Sequence, residues 1–488
     1  MNNVAHLQTS APPPIVLLGV PFDNVTTAAT VTVIEQMVAS RQPHHLVTAN
    51  VDFLVQALHD VELHRILTDA HMVLCDGMPL VWASRLLGNR LPERVAGSDL
   101  VPLLIRVAAE KQYRIFFLGG SPESTEQAAE NLRAKYPELI IAGYYSPPFA
   151  PLLEMDHDEI CRRVREAKPD LLFVSFGCPK QEKWIAMHYR SLGVPVAVGV
   201  GATIDFLAGR SKRAPRWMQK TGTEWCYRLA QEPRRLMGRY ARDLTVFSRA
   251  ILRQWRHMQW SRRAPTPGSR LITAPPLQPR PDWNRIKFPA RMDGETVRLH
   301  SALCEEASVL DLSAVKFIDS TGVGLLLRLQ KRARLQQRKF ILLAPSKPVC
   351  SALRLMRLLD LFTIASTAAE ARQLLDEEKS PQIVRTQTGY FPSRASIFWQ
   401  GEITCLNAEQ VWHSTQSHMA ALAKAGRHFL IDISALRFID STGVGMMLRA
   451  KKDALRQGLE LVFTGTRPNV RNVLRCAKAE TAILGGAP

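Results

Sequence analysis

The eight cysteines of this 488-residue chain never fall into a CxxC pair, which removes the usual zinc spacings and gives no sign of a disulfide framework. Reduced thiols in a cytoplasmic protein are the expectation. Long apolar runs are missing too. The nearest, LGVPVAVGVGATIDFLAG, carries four glycines, a proline and Asp205, so nothing reads as a membrane-spanning helix. The opening MNNVAHLQTSAPPP lacks the basic, then apolar, then small-residue order of a cleaved signal. Acid is scarce: 44 Asp and Glu stand against 63 Lys and Arg, a formal net charge of +19. With 46% hydrophobic and 22% charged residues the chain is globular, and its length asks for roughly two to four domains.

The positive excess is concentrated. Between Arg210 and Arg263 stand fifteen Lys or Arg and only Glu224, Glu232 and Asp243 to oppose them. Trp217, Trp225, Tyr227, Tyr240, Phe247, Trp255 and Trp260 are interleaved with these charges. Basic side chains mixed with amphipathic rings suit an anionic membrane surface. The same composition fits nucleic acid or a solvated helical face.

A stretch with six prolines, APTPGSRLITAPPLQPRPDWNR, spans residues 264–285 and reads as a linker. Before it, short apolar runs alternate with amphipathic ones. IVLLGV, HHLVTAN, MVLCDG, RIFFLGG, LIIAGYY, DLLFVSFG and PVAVGVG read as buried strands. AATVTVIEQMVASR, LVPLLIRVAAEKQ and STEQAAENLRAKY between them read as helices. That alternation predicts an α/β fold with a mostly parallel sheet covered on both faces, whose ligands sit beyond the C-terminal strand ends. Those ends carry Thr48 and Asn50, then Asp76-Gly77, Gly119-Gly120, and GCPKQEKW with Lys180, Gln181 and Glu182. A glycine pair ahead of a helix lets backbone N–H groups approach a phosphate.

In order and spacing these pieces resemble the WecG/TagA/CpsF family of bacterial glycosyltransferases over roughly residues 14–256. The matching motifs are TAN at 48–50, DG at 76–77, RVAGSDL at 94–100, FLGG at 117–120, GCPKQEKW at 177–184, GVGATIDFLAG at 199–209, RAPRW at 213–217 and EWCYRLAQEPRRLMGRY at 224–240. The resemblance implies a Rossmann-like domain that moves a hexose or N-acetylhexosamine from a UDP-sugar to a polyprenyl-diphosphate-linked acceptor, with inversion and without a metal or other cofactor. Asp76 becomes the catalytic base. Thr48, Asn50, Arg94, Gly119, Gly120, Lys180 and Gln181 become substrate-binding residues, with Arg94 and the glycine turn facing the departing diphosphate. The DGMP context leaves the sugar open. A lipid-linked acceptor also decides the basic segment: an anionic bilayer at the inner face of the plasma membrane, not nucleic acid, with Arg234, Arg235, Arg239 and Arg242 as contacts to membrane or phosphate. The product is expected to serve surface or extracellular polysaccharide biosynthesis.

The second half repeats itself. FIDSTGVG runs from Phe317 and again from Phe438, within longer matching segments at 309–334 and 430–455. Each copy has an apolar strand, Asp-Ser-Thr-Gly and an amphipathic helix, with Ser320 and Ser441 placed as helix N-caps. The pattern resembles the STAS domain of anti-sigma factor antagonists. The resemblance implies Ser320 and Ser441 as phospho-acceptors, and a regulatory protein or kinase as partner. The expected layout is a transferase at 14–256 with a basic extension over 210–263, the linker, and STAS-like domains at 286–376 and 394–488. Because the tail brings no pocket residue, truncation after about Gln254 is expected to leave the enzyme working. A contrasting class, a signalling scaffold whose α/β unit only binds nucleotide-sugar, predicts decay among Thr48, Asn50, Asp76, Arg94 and Gln181. All five are present.

Overall fold

The computed structural model of the chain describes residues 12–485 except 211–213, 216, 219–221, 264–283, 305–306, 337, 377–383, 386–394 and 423–427. The expected linker therefore lies almost wholly outside the described residues, as does most of the stretch joining the two repeats.

The first apolar run leaves the main sheet. IVLLGV was expected as one strand. Instead β1 (Ile15–Leu17) and β2 (Val20–Phe22) form an antiparallel hairpin, because Leu18 and Gly19 both take positive φ and reverse the chain. The other six runs are strands: β3 (His44–Ala49), β4 (Met72–Cys75), β5 (Arg114–Gly119), β6 (Ile140–Tyr145), β7 (Leu171–Ser175) and β8 (Val196–Gly199). They pair in parallel in the order β4–β3–β8–β7–β5–β6. β3, β4, β7 and β8 are buried almost throughout, as two-sided coverage requires.

The covering helices are α1 (Thr27–Ser40), α2 (Val51–Ala57), α3 (Val61–Asp69), α4 (Met78–Leu86), α5 (Gly97–Lys111), α6 (Pro122–Lys135), α7 (His157–Ala167), α8 (Lys180–His188) and α9 (Thr203–Leu207). Several begin where the sequence supplies an oxygen for a first-turn N–H: Thr26, Asn50, Asp60, Ser121 and Asp156 each accept one.

The basic segment folds as α10 (Glu224–Gln231) and α11 (Pro233–Arg263). One stripe of α11 is core rather than membrane contact. Phe247, Ile251 and Met258 pack with β1, β2 and α2, and the buried Gln254 accepts from Leu18 N and donates to Val16 O. Truncation after about Gln254 would keep Phe247, Ile251 and Gln254 in place and remove Met258 and the partly buried Trp255 from this packing.

Two small α/β modules follow. In the first, strands Thr363–Ala365, Ile341–Leu343, Val309–Asp311 and Arg285–Lys287 lie side by side in parallel. In the second the order is Val384–Arg385, Ala395–Ile403, His428–Ile439, Glu460–Thr464, with only the first pair antiparallel. The repeated octapeptides open α12 (Ser320–Leu335) and α13 (Ser441–Arg456). Their N-caps are Asp319 and Asp440, not the serines: Asp319 accepts from Thr321 N and Gly322 N, and Asp440 from Gly443 N. A carboxylate one residue earlier satisfies the free first-turn donors and releases each serine hydroxyl to reach elsewhere.

Both modules close on α3. Arg334 of the first pairs with Asp69 at 3.1 Å, and Lys331 donates to Ala70 O. Glu402 of the second pairs with Arg65 at 3.1 Å, Asn472 bonds Val61 N and His59 O, and Ser441 bonds Glu62.

Candidate active site

The C-terminal ends of β3 and β4 set Thr48, Asn50 and Asp76 side by side, since those strands pair in register with Ala49 opposite Cys75. Asn50 caps α2 through its own side chain, accepting from Phe53 N at 3.2 Å. Thr48 is buried, and its hydroxyl donates to Gly199 O at 3.4 Å on β8. A Cβ on Gly97 would lie 3.2 Å from that hydroxyl oxygen, so the start of α5 needs to be small here.

Asp76 Oδ2 accepts from Gly97 N, 3.3 Å away at the N-terminus of α5. Burial pushes the Asp76 carboxyl up to about 6, while Arg94, Arg228 and the Gly97 N–H pull the other way. A carboxylate tuned close to the operating pH is the form a general base requires.

Arg94 is fixed by two acids: its Nη2 donates to Asp99 Oδ2 at 2.6 Å and its Nη1 to Glu224 Oε2 at 3.0 Å. Glu224 also accepts from Arg228 at 3.0 Å, and the Arg228 guanidinium lies over the Phe206 ring. Glu224 and Arg228 were missed from the sequence. Both lie in EWCYRLAQ, whose charges stand one helical turn apart, and α10 brings them over Arg94.

Gly119 and Gly120 have φ of +90° and +78°, and a Cβ on Gly119 would meet Ser175 O at 2.5 Å. Glycine is needed for the turn itself. The Gly120 N–H, expected to face a phosphate, instead donates to Ser175 O at 3.0 Å. Lys180 Nζ donates to Ala150 O at 2.5 Å and sits over the rings of Phe149 and Phe176, so its charge points toward the loop after β6. Gln181, expected to touch substrate, is 3% exposed and bonded within the protein on both ends of its amide.

Ser320 and Ser441 lie away from this cleft, both buried against the N-terminal domain. Of the four arginines expected to meet a membrane, Arg234, Arg239 and Arg242 are exposed, and the Arg235 side chain lies outside the described residues.

A sequence profile of the glycosyl transferase WecG/TagA/CpsF family matches residues 15–261, and that of the STAS domain matches residues 290–371 and 393–483. The N-acetylglucosaminyldiphosphoundecaprenol N-acetyl-beta-D-mannosaminyltransferase of Staphylococcus aureus (strain MW2) is 31% identical over 222 residues, covering 45% of this chain and 85% of the relative. The protein of the same name from Bacillus subtilis (strain 168) is 34% identical over 186 residues, 38% of this chain and 71% of the relative. Among solved structures, that of the anti-sigma factor antagonist SpoIIAA in its unphosphorylated form aligns with 22% of this chain and 88% of its own, at 19% identity and a TM-score of 0.18.

Proposed function

Because the chain belongs to the WecG/TagA/CpsF family of glycosyl transferases, we propose that it transfers a sugar from a UDP-sugar to a polyprenyl-diphosphate-linked acceptor, with Asp76 as the base. The observation that carries this is the Asp76 carboxyl, raised to about 6 by burial at a strand mouth, with Thr48 and Asn50 on the neighbouring strand end. Ionised above that pH, it takes the proton of the acceptor hydroxyl as the oxygen attacks the anomeric carbon. The C–O bond forms on the face opposite the departing UDP, which leaves as the diphosphate with the bonding pair, so the configuration inverts. Arg94 and Arg228 supply the nearby positive charge that steadies the leaving group. The relatives' names make an N-acetylhexosamine the sugar to test first and a GlcNAc-diphosphoryl lipid the acceptor.

Attachment to the bilayer is part of the same reading. None of the described helices is long and apolar enough to cross a membrane. Trp217, Trp225, Met237, Leu244 and Leu252 are exposed among the exposed Arg234, Arg239 and Arg242. Rings and cations on one segment support peripheral docking on anionic lipid, each cation adding about 1 kcal/mol when close to the surface.

The test is UDP release from a UDP-sugar panel with a short-chain lipid-diphosphate acceptor. Wild-type kcat/KM should rise as pH passes about 6, where Asp76 ionises, and Asp76→Asn should fall at least about a hundredfold while still binding UDP. Near-normal turnover by Asp76→Asn removes the residue from this role.

A further inference from the structure

Beneath the cleft, the first turn of α8 holds two polar side chains where apolar ones would be expected: Gln181 and Glu182 are 3% and 1% exposed. The Gln181 amide is fully committed in direction. Its Oε1 accepts from Gly177 N at 3.1 Å and Gly201 N at 3.3 Å, and its Nε2 donates to Glu182 Oε1 at 2.8 Å. Gly177 and Gly201 follow the ends of β7 and β8, and both take positive φ, +77° and +50°. These neighbouring turns adjoin the backbone that receives Thr48, because the Thr48 hydroxyl donates to Gly199 O. The amide and the acid also lie directly on Gly199, where a Cβ would come within 2.4 Å of Gln181 Nε2 and 2.7 Å of Glu182 Oε1.

The second oxygen of Glu182 is buried with no hydrogen-bond partner. A bare carboxylate oxygen in such a place is expensive to keep charged, and burial raises the group to about 8. At neutral pH the side chain is therefore a carboxylic acid. The carbonyl oxygen of that acid suffices to accept from Gln181, and this fixes which end of the amide faces the glycines.

We propose that Glu182 is a positioning residue for the transfer: by accepting from Gln181 it aims that amide's oxygen at the Gly177 and Gly201 N–H groups and holds both turns in the shape that receives the nucleotide-sugar. The role rests on the transferase reading above. Gln181 then acts through the backbone it gathers, which accounts for its burial.

The experiment uses the full chain with Glu182→Met, which keeps the volume and removes the acceptor, and Glu182→Gln, which restores a carbonyl. In Glu182→Met the amides of Gly177 and Gly201 should lose hydrogen-exchange protection, and KM for the UDP-sugar should rise on the order of tenfold or more with a smaller change in kcat. Glu182→Gln should recover most of both. If Glu182→Met fails to fold, Gln181→Met removes the same bracket from its other end and should give the same pair of losses. Unchanged protection, or an unchanged KM beside lost protection, overturns the role of Glu182 alone. A wild type that releases no UDP from any sugar in the panel overturns the transferase reading, and this role with it.

Discussion

Ser320 and Ser441 occupy the same position in identical octapeptides, one residue after an aspartate that caps the helix, and both are buried against the transferase domain. What they meet there differs. Ser320 Oγ accepts from the neutral amide of Asn89 at 2.9 Å. Ser441 Oγ donates to the carboxylate of Glu62 at 2.8 Å, and its backbone N–H donates to the other oxygen of the same group. Glu62 belongs to an ion cluster: Lys183 Nζ lies 2.9 Å from it and 2.7 Å from Asp60. The repeat thus encodes a helix start, while the surface it docks on decides whether the contact is neutral or ionic. Either hydroxyl is open to a kinase only after its module lifts from the N-terminal domain.

The largest break in the symmetry should come from negative charge at the serines. Ser441→Asp places a carboxylate against Glu62 and beside Asp440, with Lys183 already shared between two acids. Ser320→Asp also buries a charge, but Asn89 remains as a donor. Uncompensated buried charge costs about 3–5 kcal/mol, so both variants should loosen their modules, with Ser441→Asp worse by about 2 kcal/mol. Thermal unfolding and small-angle scattering of the two variants measure this. Equal losses would mean that the partner residues do not set the difference.

A second, smaller distinction lies in the capping aspartates. Burial first, then the charge of Glu62, pushes Asp440 up to about 7. Asp319 is raised by burial as well, but the Gly322 N–H and the Asn89 side chain pull it back. Between about pH 4 and 7 the folded chain keeps a proton on Asp440 that the unfolded chain has released. The stability that Asp440 contributes should therefore fall as pH rises through that window and level off above it. His45, His64 and His188, lowered by burial to about 3, 4 and 3, act in the opposite sense. The Asp440 contribution is thus read as the difference in Tm between wild type and Asp440→Asn from pH 5 to 8, since Asn still caps a helix. Asp319→Asn should remove less of the slope. A larger effect from Asp319→Asn would invert the comparison.

How much of this was legible beforehand follows from where each signal resides. Strand-end residues and the octapeptides are contiguous, so Thr48, Asn50 and Asp76 and the paired modules stood out from local pattern. The buried stripe of α11 was legible in principle, because Phe247, Ile251, Gln254 and Met258 recur at helical spacing, but abundant arginine masked it. Glu224 over Arg94, and Glu62 against Ser441, join residues 130 and 379 positions apart. No local pattern announces such pairs. Nor does sequence say that an N–H is already engaged, which is why Gly120 read as a phosphate donor and Gln181 as a substrate contact.

The smallest predicted effect isolates the neutral contact. Asn89 follows α4, and its side chain supplies one donor to Ser320 Oγ. Asn89→Ala removes that donor, and with it the Asn89 side-chain hydrogen bond that lowers Asp319, but it breaks no ion pair. Asp319 keeps its bonds to Thr321 N and Gly322 N, Arg334 keeps Asp69, and Val16 still packs into the core of the first module. A neutral hydrogen bond lost in such a setting is worth about 1 kcal/mol, a shift of roughly 4–8 °C in the transition of a module this size. The second module, held through Glu62, should melt unchanged. If Asn89→Ala instead releases the first module outright, its docking depends on that one amide, and the neutral interface is the more fragile of the two.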